Sequence, residues 1–173
     1  ASKGLFVVSL NGKIKVDVNI SGDEAMLLAT SLKNATVIVS EDRVLGIKKA
    51  KELGSKVIFL DDGFSKYNIK KFDILLKPKD EPTNNFCIPS GAYREPKSFY
   101  KKANLVLKEG IDFKREVEIK KDGEKSKLPE KTILLTAISK PKRLLEFLPK
   151  NIETIFFEDH HTFTKDEIDT ILE

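Results

Sequence analysis

Three consecutive segments limit the fold more than any other feature of this chain. Residues 35–39 are apolar except for Thr36, which predicts a buried strand. Ser40 and Gly54 predict the start and the stop of a helix over 41–53, and residues 57–60 are a second apolar strand. Such a unit of about 25 residues predicts a parallel strand pair joined by a crossover helix. We therefore expect an α/β fold.

Segments with strand and helix patterns also alternate at the N-terminal end of the sequence. Asn11-Gly12 separates two predicted strands, over 5–10 and 13–18, and is a strong hairpin signal. Ser21 and Glu24 have the spacing of a capping box, which predicts a helix over 24–32.

The alternation continues toward the C-terminal end and predicts three parts. The domain prediction is the central part of a core lobe over 1–109, a charged connector over 110–130 that is two-stranded or extended, and the start of a second α/β lobe over 131–173. The later predicted elements are strands over 73–76, 105–107, 132–137 and 154–157, and helices over 97–103, 141–148 and 165–173. A capping box from Thr164 to Glu167 supports the last of these helices.

Composition excludes several classes of protein. With 40% hydrophobic and 34% charged residues among 173, the chain is an ordinary globular sequence. Its 31 basic residues nearly match its 27 acidic ones and are spread along the chain, which disfavours a nucleic-acid groove. Cys87 is the single cysteine, so an internal disulfide is impossible. No apolar run approaches the roughly 20 residues of a membrane helix.

The segment Ile58-Phe-Leu-Asp-Asp-Gly-Phe64 ends an apolar strand in two adjacent carboxylates. Asp61 and Asp62 in this position are typical of a magnesium site beside phosphates, although Asp-Gly is also a common turn dipeptide. The usual partner of such a site is a G-x-x-x-x-G-K-[ST] loop, which the sequence lacks. The nearest match, around Gly12-Lys13, has Ile14 where the hydroxyl residue is required.

Other polar pairs have both a structural and a functional interpretation. Asp23-Glu24 suits a helix N-terminus, and Arg94-Glu95 suits a local ion pair. His160-His161 follows a predicted strand and could assist a base, contact phosphate or simply pack. Zinc is disfavoured there, because adjacent histidines need further ligands nearby in the sequence.

Six motifs, in this order, resemble one family, the tetraacyldisaccharide 4′-kinases (lipid A 4′-kinases) of Gram-negative bacteria. They are similar to the version of this family that is found in epsilonproteobacteria. The motifs are GDEAMLLA from Gly22, IFLDDGF from Ile58, IPSGAYREP from Ile88, KAN from Lys102, TAISKPKRL from Thr136 and FEDHHTF from Phe157. The resemblance covers the chain from about Gly4 to its end.

The resemblance implies a fold and an activity. The expected fold is a P-loop-NTPase-like parallel sheet core, incomplete here, with a second small α/β lobe. The family transfers the γ-phosphate of ATP, with Mg²⁺, to the 4′-hydroxyl of a lipid disaccharide at the cytoplasmic face of the inner membrane. Its phosphate loop lies upstream of the matched motifs, so we expect this chain to be an inactive central fragment. The alternative is a non-catalytic α/β module that binds a phosphorylated ligand or a partner.

The resemblance also implies roles for particular residues. Asp23 matches the family's base on the sugar hydroxyl, and His160 matches the histidine that pairs with it. Glu24 and Arg43 are expected near the substrate or its phosphate.

The nucleotide residues implied by the resemblance lie in two further motifs. Asp61 and Asp62 are expected to serve magnesium and phosphate geometry, Glu95 is a second magnesium candidate and Arg94 a phosphate contact. The family usually has Gln-His where this chain has Ser65-Lys66, which puts any contact of that dipeptide in doubt.

Overall fold

The structure is a computed structural model that describes residues 4–159 and 161–172. It divides into two compact units, of which the first ends at Phe113 and the second begins at Lys114. The expected mixture of strands and helices, with parallel strand pairs, is confirmed. The predicted boundaries between the three parts of the chain, after residues 109 and 130, stay predictions.

The first unit begins with a hairpin. Strands β1 (Leu5–Leu10) and β2 (Lys13–Ile14) pair antiparallel, as the sequence predicts, although β2 ends at Ile14 and not at residue 18. Asn11 and Gly12 both have positive φ, 48° and 78°, which is the backbone of a two-residue hairpin turn. Gly12 also donates its backbone N–H to the carbonyl of Ala35 at 2.9 Å, so the turn packs against the chain before the next strand.

A three-stranded antiparallel sheet forms around β1. Strand β3 (Val37–Ser40) pairs with β1 on the side opposite β2, with an irregularity between Val7 and Ser9. Val8 and Ser9 are fully buried at this point. Helices α2 (Asp23–Ser31) and α3 (Arg43–Glu52) contact β3, and each contributes one buried alanine to the interior, Ala29 and Ala50.

The predicted parallel pair of 35–39 with 57–60 is wrong. Residues 57–60 have no strand assignment, and β3 forms its ladder with β1 instead. A strand needs a neighbour that takes up its backbone hydrogen bonds. The side chains of Val57 and Phe59 are correspondingly 71% and 88% exposed.

Two predicted helix caps are also wrong. Ser21 ends a separate short helix, α1 (Val18–Ser21), whose cap is Asp17, and α2 starts after Gly22 without a side-chain cap. Ser40 donates its hydroxyl to the carbonyl of Asp42, while the Asp42 carboxylate accepts from Val44 N at 2.7 Å and caps α3. At α3 the Asp42 side chain, which accepts hydrogen bonds from the following N–H groups, caps the helix instead of the predicted serine. Asp17 caps the additional helix α1 and leaves α2 without a side-chain cap. The predicted stop at Gly54 is confirmed, since its φ is +84°.

The rest of the first unit is a parallel pair. Strands β4 (Ile74–Lys77) and β5 (Leu105–Lys108) pair in register, and a 3₁₀ helix over Lys97–Lys102 precedes β5. Asn104 ties the start of the pair together, because its side-chain oxygen accepts from Asp73 N at 2.7 Å. The predicted strands and short helix in this region are confirmed.

The second unit contains two further pairs and a terminal helix. Strands β6 (Lys120–Lys121) and β7 (Glu124–Lys125) form the hairpin predicted at Asp122-Gly123. Strands β8 (Ile133–Thr136) and β9 (Glu153–Phe156) are parallel and are joined through a 3₁₀ helix over Pro141–Phe147.

Helix α4 (Lys165–Leu172) begins with the predicted capping box: Thr164 N donates to Glu167 at 2.8 Å and Glu167 N donates to the Thr164 hydroxyl at 3.3 Å. Within the described residues, no helix has the length and apolar character needed to cross a membrane.

Replacing Gly12 by alanine tests the packing of the first hairpin turn. A Cβ at Gly12 would lie 1.8 Å from the carbonyl oxygen of Lys33, on a backbone with positive φ. We expect Gly12→Ala to lower the free energy of unfolding by about 3 kcal/mol, combining backbone strain with steric overlap. Denaturant unfolding followed by circular dichroism measures this.

Gly54→Ala is the matched control for that substitution. Gly54 has φ +84°, yet nothing lies within 4 Å of its added Cβ. This variant should lose only the strain, about 1 kcal/mol. Equal losses in the two variants would contradict the packing described for Gly12.

Candidate functional site

The two adjacent carboxylates lie in a tight turn after residues 57–60. Asp62 has φ +50°, a left-handed conformation that aspartate tolerates better than most residues. Gly63 is buried, and a Cβ there would lie 2.8 Å from the Leu60 Cβ and 3.0 Å from the Leu60 carbonyl oxygen. The turn therefore requires glycine at 63 and leaves the Asp62 side chain largely exposed.

An ion pair joins this turn to the Arg94-Glu95-Pro96 segment. The Nη1 of Arg94 donates to the Asp62 carboxylate across 32 positions of the sequence. Both side chains are more than 70% exposed, so the pair contributes at most about 1 kcal/mol to stability. Its importance is geometric, because it brings together two motifs that the sequence singled out separately.

The loop before Arg94 is closed by its own backbone. Ile88 N donates to the Tyr93 carbonyl at 2.9 Å, and Tyr93 N donates back to the Phe86 carbonyl at 3.3 Å. Gly91 is enclosed by this loop: a Cβ there would lie 2.1 Å from the Phe86 carbonyl oxygen and 2.5 Å from Asn84 Oδ1. Tyr93, at 7% exposed, anchors the loop in the unit, while Phe86 and Ile88 within the loop remain exposed.

One carboxylate that the sequence analysis did not single out contacts this loop. Glu81 pairs with Lys77 and with Lys97, the latter at 2.8 Å, and accepts from the Tyr93 hydroxyl at 3.3 Å. Hydrogen bonds from Lys77 and then Lys97 lower the pKa of Glu81 to about 2. The hydrogen bond to Glu81 in turn raises the pKa of Lys97 to about 12. The spacing of Lys77 and Glu81 was visible in the sequence, but their relation to Tyr93 depends on the folded loop.

Tyr67 was also missed, and it connects the turn to Glu95. Burial and then the Glu95 carboxylate raise the pKa of its hydroxyl. Its ring meets those of Phe64 and Phe99 edge to face, with centroids 6.3 and 5.8 Å apart. The ammonium of Lys102 lies 4.5 Å from the Tyr67 ring centroid. Aromatic packing therefore holds the residues after the Asp61-Asp62 turn against the 3₁₀ helix over Lys97–Lys102, which begins two residues after Glu95.

Other predicted site residues lie on the helices of the first unit. Asp23 and Glu24 are exposed in the first turn of α2. Arg43 is the first residue of α3 and donates from Nη1 to the Ser40 carbonyl at 3.2 Å, while its buried Nε has no hydrogen-bond partner.

The predicted metal ligands do not form a site by themselves. Within 4–159 and 161–172, no three His, Cys, Asp or Glu side chains are grouped closely enough to hold a metal ion. The ion pair between Arg94 and Asp62 nevertheless brings the segment that carries Glu95 to the Asp61-Asp62 turn. Mg²⁺ commonly takes one or two carboxylates together with phosphate oxygens and water, so the donor set fits that ion.

Of the two adjacent histidines, the structure describes His161. His160 lies outside the described residues, so its pairing with Asp23 stays a prediction. His161 contacts Glu167 through Nε2 at 3.1 Å and stacks on Phe157 with ring centroids 4.6 Å apart. Hydrogen bonds from Thr164 and then His161 lower the pKa of Glu167. His161 thus supports the cap of α4, which is a structural role.

Comparison with known proteins gives one consistent family. The family model described as LpxK, tetraacyldisaccharide-1-P 4′-kinase, matches residues 2–173. A tetraacyldisaccharide 4′-kinase of Aliarcobacter butzleri is 77% identical over 97% of this chain and 54% of its own length. The Helicobacter acinonychis protein of the same name is 53% identical over 94% of the chain and 50% of its own length. The chain thus spans about half the length of these relatives.

A solved structure is similar as well. The crystal structure of an LpxK from Aquifex aeolicus in complex with ATP matches with a TM-score of 0.71 and 26% identity. The match covers 96% of this chain and 62% of the Aquifex chain.

The low pKa of Glu81 can be tested by titration. Because its pKa of about 2 lies below the ordinary 4.5, the stability from this carboxylate is present above about pH 4.5 and is lost as the pH falls toward 2. We expect an NMR titration of the Glu81 carboxyl carbon to give a midpoint near 2. Lys77→Met and Lys97→Met should each raise that midpoint. An ordinary midpoint in the unsubstituted chain would show that the two lysines do not hold the carboxylate in solution.

Proposed function

Because the chain belongs to the tetraacyldisaccharide-1-P 4′-kinase family, we propose that it is the nucleotide- and substrate-binding part of a lipid A 4′-kinase. The whole protein would transfer the γ-phosphate of ATP to the 4′-hydroxyl of tetraacyldisaccharide 1-phosphate, a step of lipopolysaccharide biosynthesis. The observation that carries this proposal is the contact between Asp62 and Arg94, which joins the two motifs expected at the nucleotide. The fold shared with an ATP-bound LpxK supports it.

The carboxylates in this region suit the nucleotide side of the reaction. Asp61, Asp62 and Glu95 would hold Mg²⁺ beside the phosphates of ATP, and the ion, when bound, neutralises charge on the phosphate oxygens. Asp62 already lies against a cation, so its turn is shaped to hold a charged carboxylate.

Arg94 would contact the phosphates while it remains oriented by Asp62. A guanidinium is planar and has several N–H donors, so it can hold a carboxylate and a phosphate oxygen at the same time. The pair therefore fixes the direction from which the arginine reaches the nucleotide. Lysine, with a single ammonium, would not reproduce this geometry.

The substrate side would depend on α2 and α3. Asp23, in the first turn of α2, would accept the proton of the sugar hydroxyl, with His160 orienting it. Glu24 and Arg43 would bind the disaccharide or its phosphate. The acylated substrate implies that the whole protein works at a membrane surface, at the cytoplasmic face of the inner membrane where ATP is present.

The 173-residue chain alone should transfer no phosphate from ATP. Its sequence contains no G-x-x-x-x-G-K-[ST] loop, on which phosphate binding in this fold depends. A chimera should be active, in which the chain replaces the segment it matches in the Aliarcobacter butzleri relative. Transfer of radiolabelled phosphate from ATP to tetraacyldisaccharide 1-phosphate measures both. Transfer by the chain alone, or a folded chimera without transfer, would contradict the proposal.

Substitutions in the chimera separate the two sides of the reaction. Asp23→Asn should lower kcat by about 100-fold or more and leave the Kd for ATP unchanged, because a base acts on the hydroxyl and not on the nucleotide. Asp62→Asn should instead weaken ATP binding in the presence of Mg²⁺.

Glu146→Gln is the control for both variants, since it removes the same charge from an exposed residue of the 3₁₀ helix in the second unit. Equal losses of turnover and of ATP affinity in Asp23→Asn would contradict its assignment as the base. A chimera that binds ATP but never transfers phosphate would favour the non-catalytic phosphate-binding module.

A further inference from the structure

Glu81 lies at the centre of a compact cluster beside the Arg94-Glu95 segment. We define the Glu81 cluster as Glu81, Lys77, Tyr93, Lys97 and Tyr100. Glu81 Oε1 pairs with Lys77, while Oε2 takes both Lys97, at 2.8 Å, and the Tyr93 hydroxyl, at 3.3 Å. One carboxylate therefore receives three donors from three different parts of the first unit.

Aromatic rings complete the cluster. The ammonium of Lys97 lies 5.1 Å from the Tyr93 ring centroid, and that of Lys77 lies 5.5 Å from the Tyr100 ring centroid. The two tyrosine rings are 6.4 Å apart. Each lysine is thus fixed by a carboxylate and by a ring face, an arrangement that restricts its rotamers and directs its charge.

Two members of the Glu81 cluster flank the Arg94-Glu95-Pro96 segment in the sequence. Tyr93 immediately precedes Arg94, and Lys97 immediately follows Pro96. The same oxygen of Glu81 therefore holds the chain on both sides of the three residues 94–96. Lys77, at the end of β4, anchors that oxygen's carboxyl group to the parallel strand pair.

We propose that Glu81 is a positioning residue that sets the location of Arg94 and Glu95 for binding the phosphates and the metal ion of the nucleotide. This inference rests on the function proposed above. Glu81 acts through Tyr93 and Lys97, and it contacts neither ATP nor the lipid. Loss of its charge would leave both lysines without their partner and release the segment at both ends.

The isolated chain provides the first test. In Glu81→Gln, the amides of Ile88 and Tyr93, which close the loop, should exchange their hydrogens about tenfold faster or more. The amides of β1 and β3 should be unaffected. Unchanged protection of the loop would overturn the inference, because the segment would then be held without Glu81.

Glu118→Gln is the matched control for this variant. Glu118 also lies between two lysines, Lys120 at 3.2 Å and Lys125 at 3.3 Å, but it belongs to the second unit. It carries the same chemistry without the connection to Arg94. We expect no change in loop exchange or in nucleotide binding when it is substituted.

The chimera described above provides the kinetic test. Glu81→Gln should raise the KM and the Kd for ATP about tenfold, with kcat and the KM for the lipid little changed. A purely structural role would alter the parameters for both substrates. Tyr93→Phe, which removes one hydroxyl and no charge, should show a smaller change in the same direction and guards against misfolding of the first variant.

Combination with a variant that lacks both positioned side chains, Arg94→Gln with Glu95→Gln, decides whether Glu81 acts through them. If it does, adding Glu81→Gln to that variant should weaken ATP binding hardly further, because the positioned groups are already gone. Multiplied effects would overturn the inference. Absence of ATP binding by the unsubstituted chimera would instead overturn the proposed function, so the two failures are distinguishable.

Discussion

Each strand of this chain exists only where a neighbour takes up its backbone hydrogen bonds, and this requirement organises the whole structure. β3 satisfies it on β1, β4 on β5, and β8 on β9. The apolar segment 57–60 has the composition of a strand but no strand assignment, and its Phe59 side chain is 88% exposed. Composition makes a segment able to become a strand, whereas pairing decides whether it does.

The sequence predicted those features that depend on neighbouring residues. Asn11-Gly12, Gly54 and the Thr164–Glu167 box fold as expected, because each acts through backbone geometry within a few positions. The predicted caps at Ser21 and Ser40 were wrong for local reasons as well. Asp42 caps α3 in place of Ser40, whereas Asp17 caps the preceding helix α1 and α2 has no side-chain cap.

Contacts between residues that are distant in the sequence could be predicted only in part. The DDGF and REP motifs were recognised, but their direct contact through Asp62 and Arg94 joins positions 32 apart. Glu81 was missed altogether, because its three partners converge only when the loop after β4 closes on Tyr93. Glu81 directly follows Asp80 in a segment rich in proline and lysine, and an acidic pair there does not stand out from the other carboxylates of a chain with 34% charged residues.

At position 62 the left-handed backbone and the negative charge of the side chain place separate requirements on the residue type. Glycine and asparagine would relieve or tolerate the φ of +50°, and only aspartate also supplies a negative charge there. In a saturation library screened for folding alone, position 62 should therefore accept glycine, asparagine and aspartate. If Asp62 has the role proposed for it, a library made in the chimera and screened for growth that depends on kinase activity should retain aspartate alone. Residues that survive the first screen but not the second identify the requirement for a negative charge. Residues lost in both screens identify the requirement for a left-handed backbone.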